Sequence, residues 1–91
     1  MNEWEKKNYE LRARTFALNE KDITIAELLN QDIDWTIVKI YGPKRRNNSY
    51  RYKESELSMF DPHTIGHCSI VDDEIIEGHI VRYLAIDLEV K

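Results

Sequence analysis

Between residues 3 and 19 the chain runs EWEKKNYELRARTFALN, with no Pro or Gly and many good helix formers. Trp4, Leu11, Thr15 and Leu18 recur on one stripe at helical spacing, and Tyr9, Ala13 and Phe16 on another. The pattern predicts a helix whose first stripe packs inward and whose second is either packed or offered to a partner. Glu3 and Glu5 in the first turn suit the helix dipole. A shorter helix is predicted over ITIAELLN, residues 23–30, with Asp22 or Thr24 as cap, Asn30 at its end, and Ile23, Ala26 and Leu28 or Leu29 buried. Thr24 followed by Glu27 has the spacing of a capping box.

Beyond Asp34 the pattern changes. WTIVKIY at 35–41 is β-branched and aromatic, hence strand-like. GPKRRNNS is a turn cluster, and SYRYK at 49–53 alternates, with Tyr50 and Tyr52 on one face and Arg51 on the other. Together these segments predict a hairpin with an eight-residue loop. ESELSMF at 54–60 reads as a short helical turn and IGHCSIV at 65–71 as a third strand. DDEIIEG reads as a loop or single helical turn closed by Gly78. HIVRYLAIDLEV at 79–90 is the clearest strand, with Ile80, Leu84, Ile86, Leu88 and Val90 on one face. Helices followed by strands give an expected α+β fold: two N-terminal helices packed on a small antiparallel four-stranded sheet. At 91 residues, with no linker, repeat or low-complexity tract, one domain is expected over 1–91.

Charge alters this picture more than bulk composition does. The net charge of -4 at pH 7 argues by itself against a generic coater of nucleic acid or anionic membrane. Its distribution is uneven. Residues 39–53 hold six cations (Lys39, Lys44, Arg45, Arg46, Arg51, Lys53) and no anion. Residues 54–81 hold seven anions (Glu54, Glu56, Asp61, Asp72, Asp73, Glu74, Glu77) and no cation. Tyr41, Tyr50 and Tyr52 interleave with Lys44, Arg45, Arg46, Arg51 and Lys53, a composition suited to a protein-binding surface or to phosphate contacts with aromatic stacking. An acidic face at Asp72, Asp73, Glu74 and Glu77 would complement it in orienting a partner. The charge pattern is equally that of a solvated loop offsetting an acidic half.

Ile23 to Phe60 resembles a winged helix-turn-helix of the MerR or excisionase kind, through TIAELLN and the wing-like PKRRNNSYRYKESELSMF. The resemblance implies Arg45, Arg46 and Arg51 near DNA phosphates. The turn QDID and the β-branched WTIVKIY, where a recognition helix would stand, depart from that pattern. EIIEGHIVRY at 74–83 is similar to the entry strand of small SH3-like barrels, with His79 in place of the usual Asp.

No motif carries a reaction. His63, His67, Cys68 and His79 are close in sequence, but they form no CxxC frame, and their one i,i+4 pair is His63 with His67. Adjacent His67 and Cys68 would face opposite sides of a strand, and Pro62 and Gly66 disfavour a helix that would align His63 with His67. Nothing fixes Cys68 beside a histidine as a nucleophile, and Asp72, Asp73 and Glu74 lack the apolar surroundings that raise a carboxyl pKa. Gly42, Gly66 and Gly78 are isolated, so no phosphate-binding loop is present. No metal, cofactor or catalysis is expected. One cysteine and an N-terminus without an apolar stretch suggest a reduced, cytoplasmic setting, and the longest stretch free of Asp, Glu, Lys and Arg, Pro62–Val71, is only ten residues, well short of a membrane span. Eleven Ile against four Ala and three Gly point to an AT-rich genome. The expectation is a non-catalytic binding protein, an accessory factor of a phage or mobile element that modulates a larger host protein. The alternative is a nucleic-acid-binding regulator using the hairpin at 43–53. Oligomeric state is left open by the sequence.

Overall fold

The computed structural model describes the backbone of residues 2–44 and 48–89, and their side chains except at 44, 48 and 49. It is an α+β fold with a mixed five-stranded sheet. Helix α1 spans Glu3–Phe16, strand β1 Asp22–Thr24, helix α2 Ile25–Leu29, β2 Val38–Lys44, β3 Asn48–Tyr52, β4 Ile65–Ile76 and β5 His79–Glu89. Short 3-10 segments lie at Trp35–Ile37 and Glu54–Met59. The strand order is β1-β4-β5-β2-β3. All pairings are antiparallel except β2 with β5, where Val38 to Tyr41 run alongside Leu84 to Asp87.

The parallel β2–β5 pairing corrects the four-stranded antiparallel expectation, and three local differences correct it further. Asp22–Thr24 forms an edge strand on Ile65–His67 before the chain turns into α2. WTI is a 3-10 turn, with Asp34 Oδ1 accepting from the Thr36 amide, so the strand starts only at Val38. DDEIIEG is no helical turn: it completes one long hairpin, β4 pairing with β5 from Ile65–Glu89 out to Ile76–His79. Its two-residue turn uses Glu77 at φ 51° and Gly78 at φ 80°, the positive-φ pair that matches strand twist. The predicted hairpin at β2–β3 is present and its strands run further than expected, since Gly42, Pro43 and Lys44 pair with Tyr50, Ser49 and Asn48.

Strand alternation places the core. Val38 and Ile40 on β2, Cys68 on β4 and Leu84, Ile86 and Leu88 on β5 share one sheet face, where Leu18, Ile23, Ile25, Leu28, Ile33 and Leu57 cover them. Trp35, Tyr52 and Phe60 close the margin. Thr24 caps α2 by accepting from the Glu27 amide at 3.1 Å, as its spacing predicts. Two glycines sit where side chains crowd them. A Cβ on Gly66 would come within 2.7 Å of Ile86, and one on Gly42 within 3.0 Å of the Tyr52 ring.

Helix α1 is held mainly at its C-terminal half. Thr15 is fully buried; its hydroxyl donates to the Leu11 carbonyl at 2.6 Å and accepts from the Asp34 amide at 2.8 Å. Arg14 pairs with Asp32 and Arg12 with Asp34. The N-terminal half departs from the predicted inward stripe: Trp4 is 74% exposed, and Tyr9 is exposed as well. The apolar residues there are too far apart for one face to seat both Trp4 and Leu18. The sheet takes Leu18, while Asn2, whose Oδ1 accepts from the Glu5 amide, starts the helix in solvent.

No helix among the described residues is long and apolar enough to cross a membrane. The helix expected for a winged helix-turn-helix at 35–41 is absent, since a 3-10 turn and then β2 occupy that stretch.

Candidate binding surfaces

The basic hairpin divides between the two faces of the sheet. Tyr41 pairs with Arg51 across β2 and β3, so both point to the face away from the helices. Tyr50 and Tyr52 alternate onto the helix side. There the Tyr52 ring meets Tyr50 and Phe60 edge-on, at 4.7 and 4.9 Å, and its hydroxyl donates to the Pro43 carbonyl. Arg51 therefore does not share a face with Tyr50 and Tyr52, and Tyr52 is committed to the core margin. Lys53 is exposed at the end of β3. Arg45, Arg46 and the side chain of Lys44 lie outside the described residues.

The sheet face away from the helices carries a polar row. Successive registers align Asp22, His67, Asp87, Tyr41 and Arg51 across all five strands. His67 is exposed; its Nδ1 lies 2.5 Å from Asp22 Oδ1 and its Nε2 3.3 Å from Glu89 Oε2. The Asp22 hydrogen bond and charge, with smaller help from Glu89, raise the His67 pKa above 6.5 against a slight desolvation. A raised folded value means that the stabilisation is complete below the ordinary histidine pKa and fades as pH rises through the folded one. The melting-temperature advantage of wild type over His67→Gln is accordingly expected to be larger at about pH 6 than at about pH 9. An advantage that grows toward pH 9 would contradict the assignment.

Among the described cations of residues 39–53, Lys39 is the one that the sheet takes in. Its register partner Ala85 is small, which lets the lysine stem lie across β5. Its ammonium reaches Asp73 on β4 and sits 4.2 Å from the centre of the Tyr83 ring, leaving the side chain 8% exposed. The acidic stretch is likewise partly answered from within. Asp72 meets Arg82 at 3.2 Å, and Glu74 accepts from the Tyr83 hydroxyl at 2.9 Å, which raises the Tyr83 pKa. Of the predicted acidic face, only Glu77 has no ion pair or side-chain hydrogen bond among the described residues.

Asp72, Asp73 and Glu74 lie on β4 and Glu77 in the turn that follows it, a stretch whose sequence reads as a loop. β1 flanks β4 only at Ile65–His67, and the Ile70 amide then turns to the Asn19 side chain; β2 flanks β5 only from Leu84 onward. Beyond Arg82 and Asp72 the two strands continue as a ribbon to the Glu77–Gly78 turn with no further strand among the described residues paired to either edge, and Ile80 and Val81 line a groove with Arg12, Phe16 and Ile37; the molecule measures 45 × 29 × 22 Å. Ile75 and Ile80 pair on the helix side and Ile76 lies behind them. They are 75%, 63% and 52% exposed. A register shift between Asp72 and Glu74 and the surrounding carboxylates guard the ribbon's open edges against strand addition. Its binding chemistry is thus that of apolar side chains with acidic flanks. The alternation that could have revealed the ribbon is broken by that same register shift.

His63, His67, Cys68 and His79 do not converge. His79 is at the ribbon turn, His63 follows Pro62 in an exposed bend, and His67 and Cys68 face opposite sides. Burial, with a smaller contribution from Asp22, pushes the Cys68 thiol up to about 11, so it is not activated as a nucleophile. Among the described residues no group of three or more His, Cys, Asp or Glu is placed to hold a metal ion. No protein-family model, curated protein or solved structure matches the chain.

Proposed function

We propose that the chain is a small non-catalytic binding protein that docks on a larger protein, the β4–β5 ribbon entering first. The observation that carries this reading is the exposure of Ile75, Ile76 and Ile80 together at the end of a long hairpin. Apolar side chains clustered there gain by being covered, and the acidic flanks would steer and orient the encounter. With an amino-acid usage that points to an AT-rich genome, the protein is proposed to be a cytoplasmic accessory factor of a phage or mobile element that inhibits or modulates a host protein, a defence component included.

The test is capture from a bacterial host lysate, comparing wild type with an Ile75→Ser/Ile80→Ser variant shown to be folded by circular dichroism. A partner in stoichiometric amount is expected with wild type and is expected to be lost with the variant, because central apolar anchors dominate such interfaces. Equal capture by both, or none by wild type, overturns the reading. So does salt-sensitive binding to duplex DNA that is abolished by reversing Arg45, Arg46 and Arg51 to Glu, the outcome required by a nucleic-acid regulator.

A further inference from the structure

The sheet ends at β3 in an open edge. Among the described residues β3 pairs only with β2, and the two strands keep register throughout. Pro43 reveals which backbone groups face outward. A hydrogen-bonded antiparallel pair exchanges two N–H bonds, which proline cannot do, and the Pro43 carbonyl accepts instead from the Tyr52 hydroxyl. Pro43 with Ser49 is therefore a non-hydrogen-bonded pair, and so, two residues along, is Tyr41 with Arg51. The amide and carbonyl groups of Ser49 and Arg51 consequently point to the open edge. Among the described residues no backbone group from elsewhere in the chain bonds to either. The β4 margin differs, since Asn19 takes the Ile70 amide and the register shift follows.

The side chains along this edge select what can be added to it. On the face away from the helices the row Asp22, His67, Asp87, Tyr41 and Arg51 ends in a cation. Neither Arg51 nor the exposed Lys53 beyond it has an ion pair among the described residues. A directly opposite acid stabilises such a position and a like charge destabilises it, so the edge of a second β3 is disfavoured. On the helix side an added strand would run beside Tyr52, which lines a cleft of about 420 Å³ with Trp35, Val38 and Ile40. That side suits β-branched apolar residues. We propose that the outer edge of β3 takes up an extended acidic segment of a partner protein as a further strand, acids beside Arg51 and apolar residues beside Tyr52. Main-chain bonds to Ser49 and Arg51 supply affinity, and the alternating side chains supply specificity. The contact is separated from the β4–β5 ribbon by β2 and does not use the ribbon's isoleucines.

Fluorescence anisotropy tests this with a capped, labelled peptide of about eight residues in which Glu alternates with Val. The full chain is expected to bind it at least about tenfold more tightly than its backbone N-methylated form or the matching Lys/Val peptide. Ser49→Pro removes an outward N–H and keeps both cations, and proline is tolerated on an edge strand with its nitrogen toward solvent. This variant is expected to weaken binding by about tenfold, as is Arg51→Glu, with circular dichroism confirming each fold. Should Ser49→Pro not fold, the N-methylated peptide still decides. Ile75→Ser/Ile80→Ser is expected to bind the peptide like wild type, so failure of the ribbon reading and failure of this one are distinguishable. Absence of binding up to about 1 mM overturns the proposal, as does equal binding of the N-methylated peptide, which would show charge attraction alone. Tighter binding of single-stranded oligothymidylate of equal charge assigns the edge to nucleic acid and also overturns it. So does a wild-type dimer in sedimentation that Ser49→Pro disperses, which would assign the edge to a second copy.

Discussion

Replacing Leu84 by Ala is expected to destabilise the fold by about 3 kcal/mol, within the range for a buried leucine truncated to a methyl group. Leu84 is fully buried on the central strand β5, where it registers with Ile70 of β4 on one side and Val38 of β2 on the other. Its side chain belongs to the cluster that joins both hairpins to the helices. The cavity would open where three strands meet, so no single loop can collapse to fill it. Urea unfolding monitored by tryptophan fluorescence measures the change, with Leu29→Ala on the exposed side of α2 as the control. The control is expected to lose well under about 1 kcal/mol, since its side chain is 45% exposed. Similar losses for the two variants would show that β5 is not the centre of the core.

The next largest effect concerns Lys39, and its sign depends on which partner is removed. Asp73→Ala leaves the lysine ammonium covered by its own sheet with only the Tyr83 ring beside it. A loss of about 1–2 kcal/mol is expected, less than for a fully buried pair because Asp73 is itself 44% exposed and water can reach the site. Lys39→Met keeps the packed stem and strands only a half-exposed carboxylate, which water solvates. This variant is expected to lie within about 1 kcal/mol of wild type. Urea midpoints of the two single variants decide the matter, and a Lys39→Met loss exceeding that of Asp73→Ala would overturn the account.

Side-chain chemistry made part of this fold legible from sequence. Thr24 and Glu27 marked the start of α2, and the Gly42–Pro43 cluster marked the β2–β3 turn region. The alternation from Ile80 to Leu88 marked β5. What escaped has specific causes. Three consecutive acids at Asp72 to Glu74 are poor strand formers, and the register shift within them cancels the two-residue period that would have exposed the ribbon. β1 is three residues long, shorter than any periodicity can report. Lys39 counted as part of a basic patch because nothing local indicates that Ala85 and Tyr83, more than forty residues away, provide its berth. Trp4 joined a helical stripe that exists geometrically, yet no element is positioned to meet its N-terminal end. Of the candidate site, the charges were visible in the sequence, but the exposure of the three isoleucines depends on where β1 and β2 stop.

The single parallel pairing also sets a timetable. β4 with β5, and β2 with β3, join neighbours in the chain across short connections, whereas Val38 and Leu84 meet from positions 46 residues apart. Closing longer loops costs more chain entropy, by about 0.6 kcal/mol for each doubling of length. The two hairpins are therefore expected to form early and the β2–β5 seam to close last. Val38→Ala should then speed unfolding while leaving the refolding rate nearly unchanged in stopped-flow measurements. A chain that assembles in this order has its isoleucine-tipped ribbon built, and exposed, before the rest of the sheet is complete.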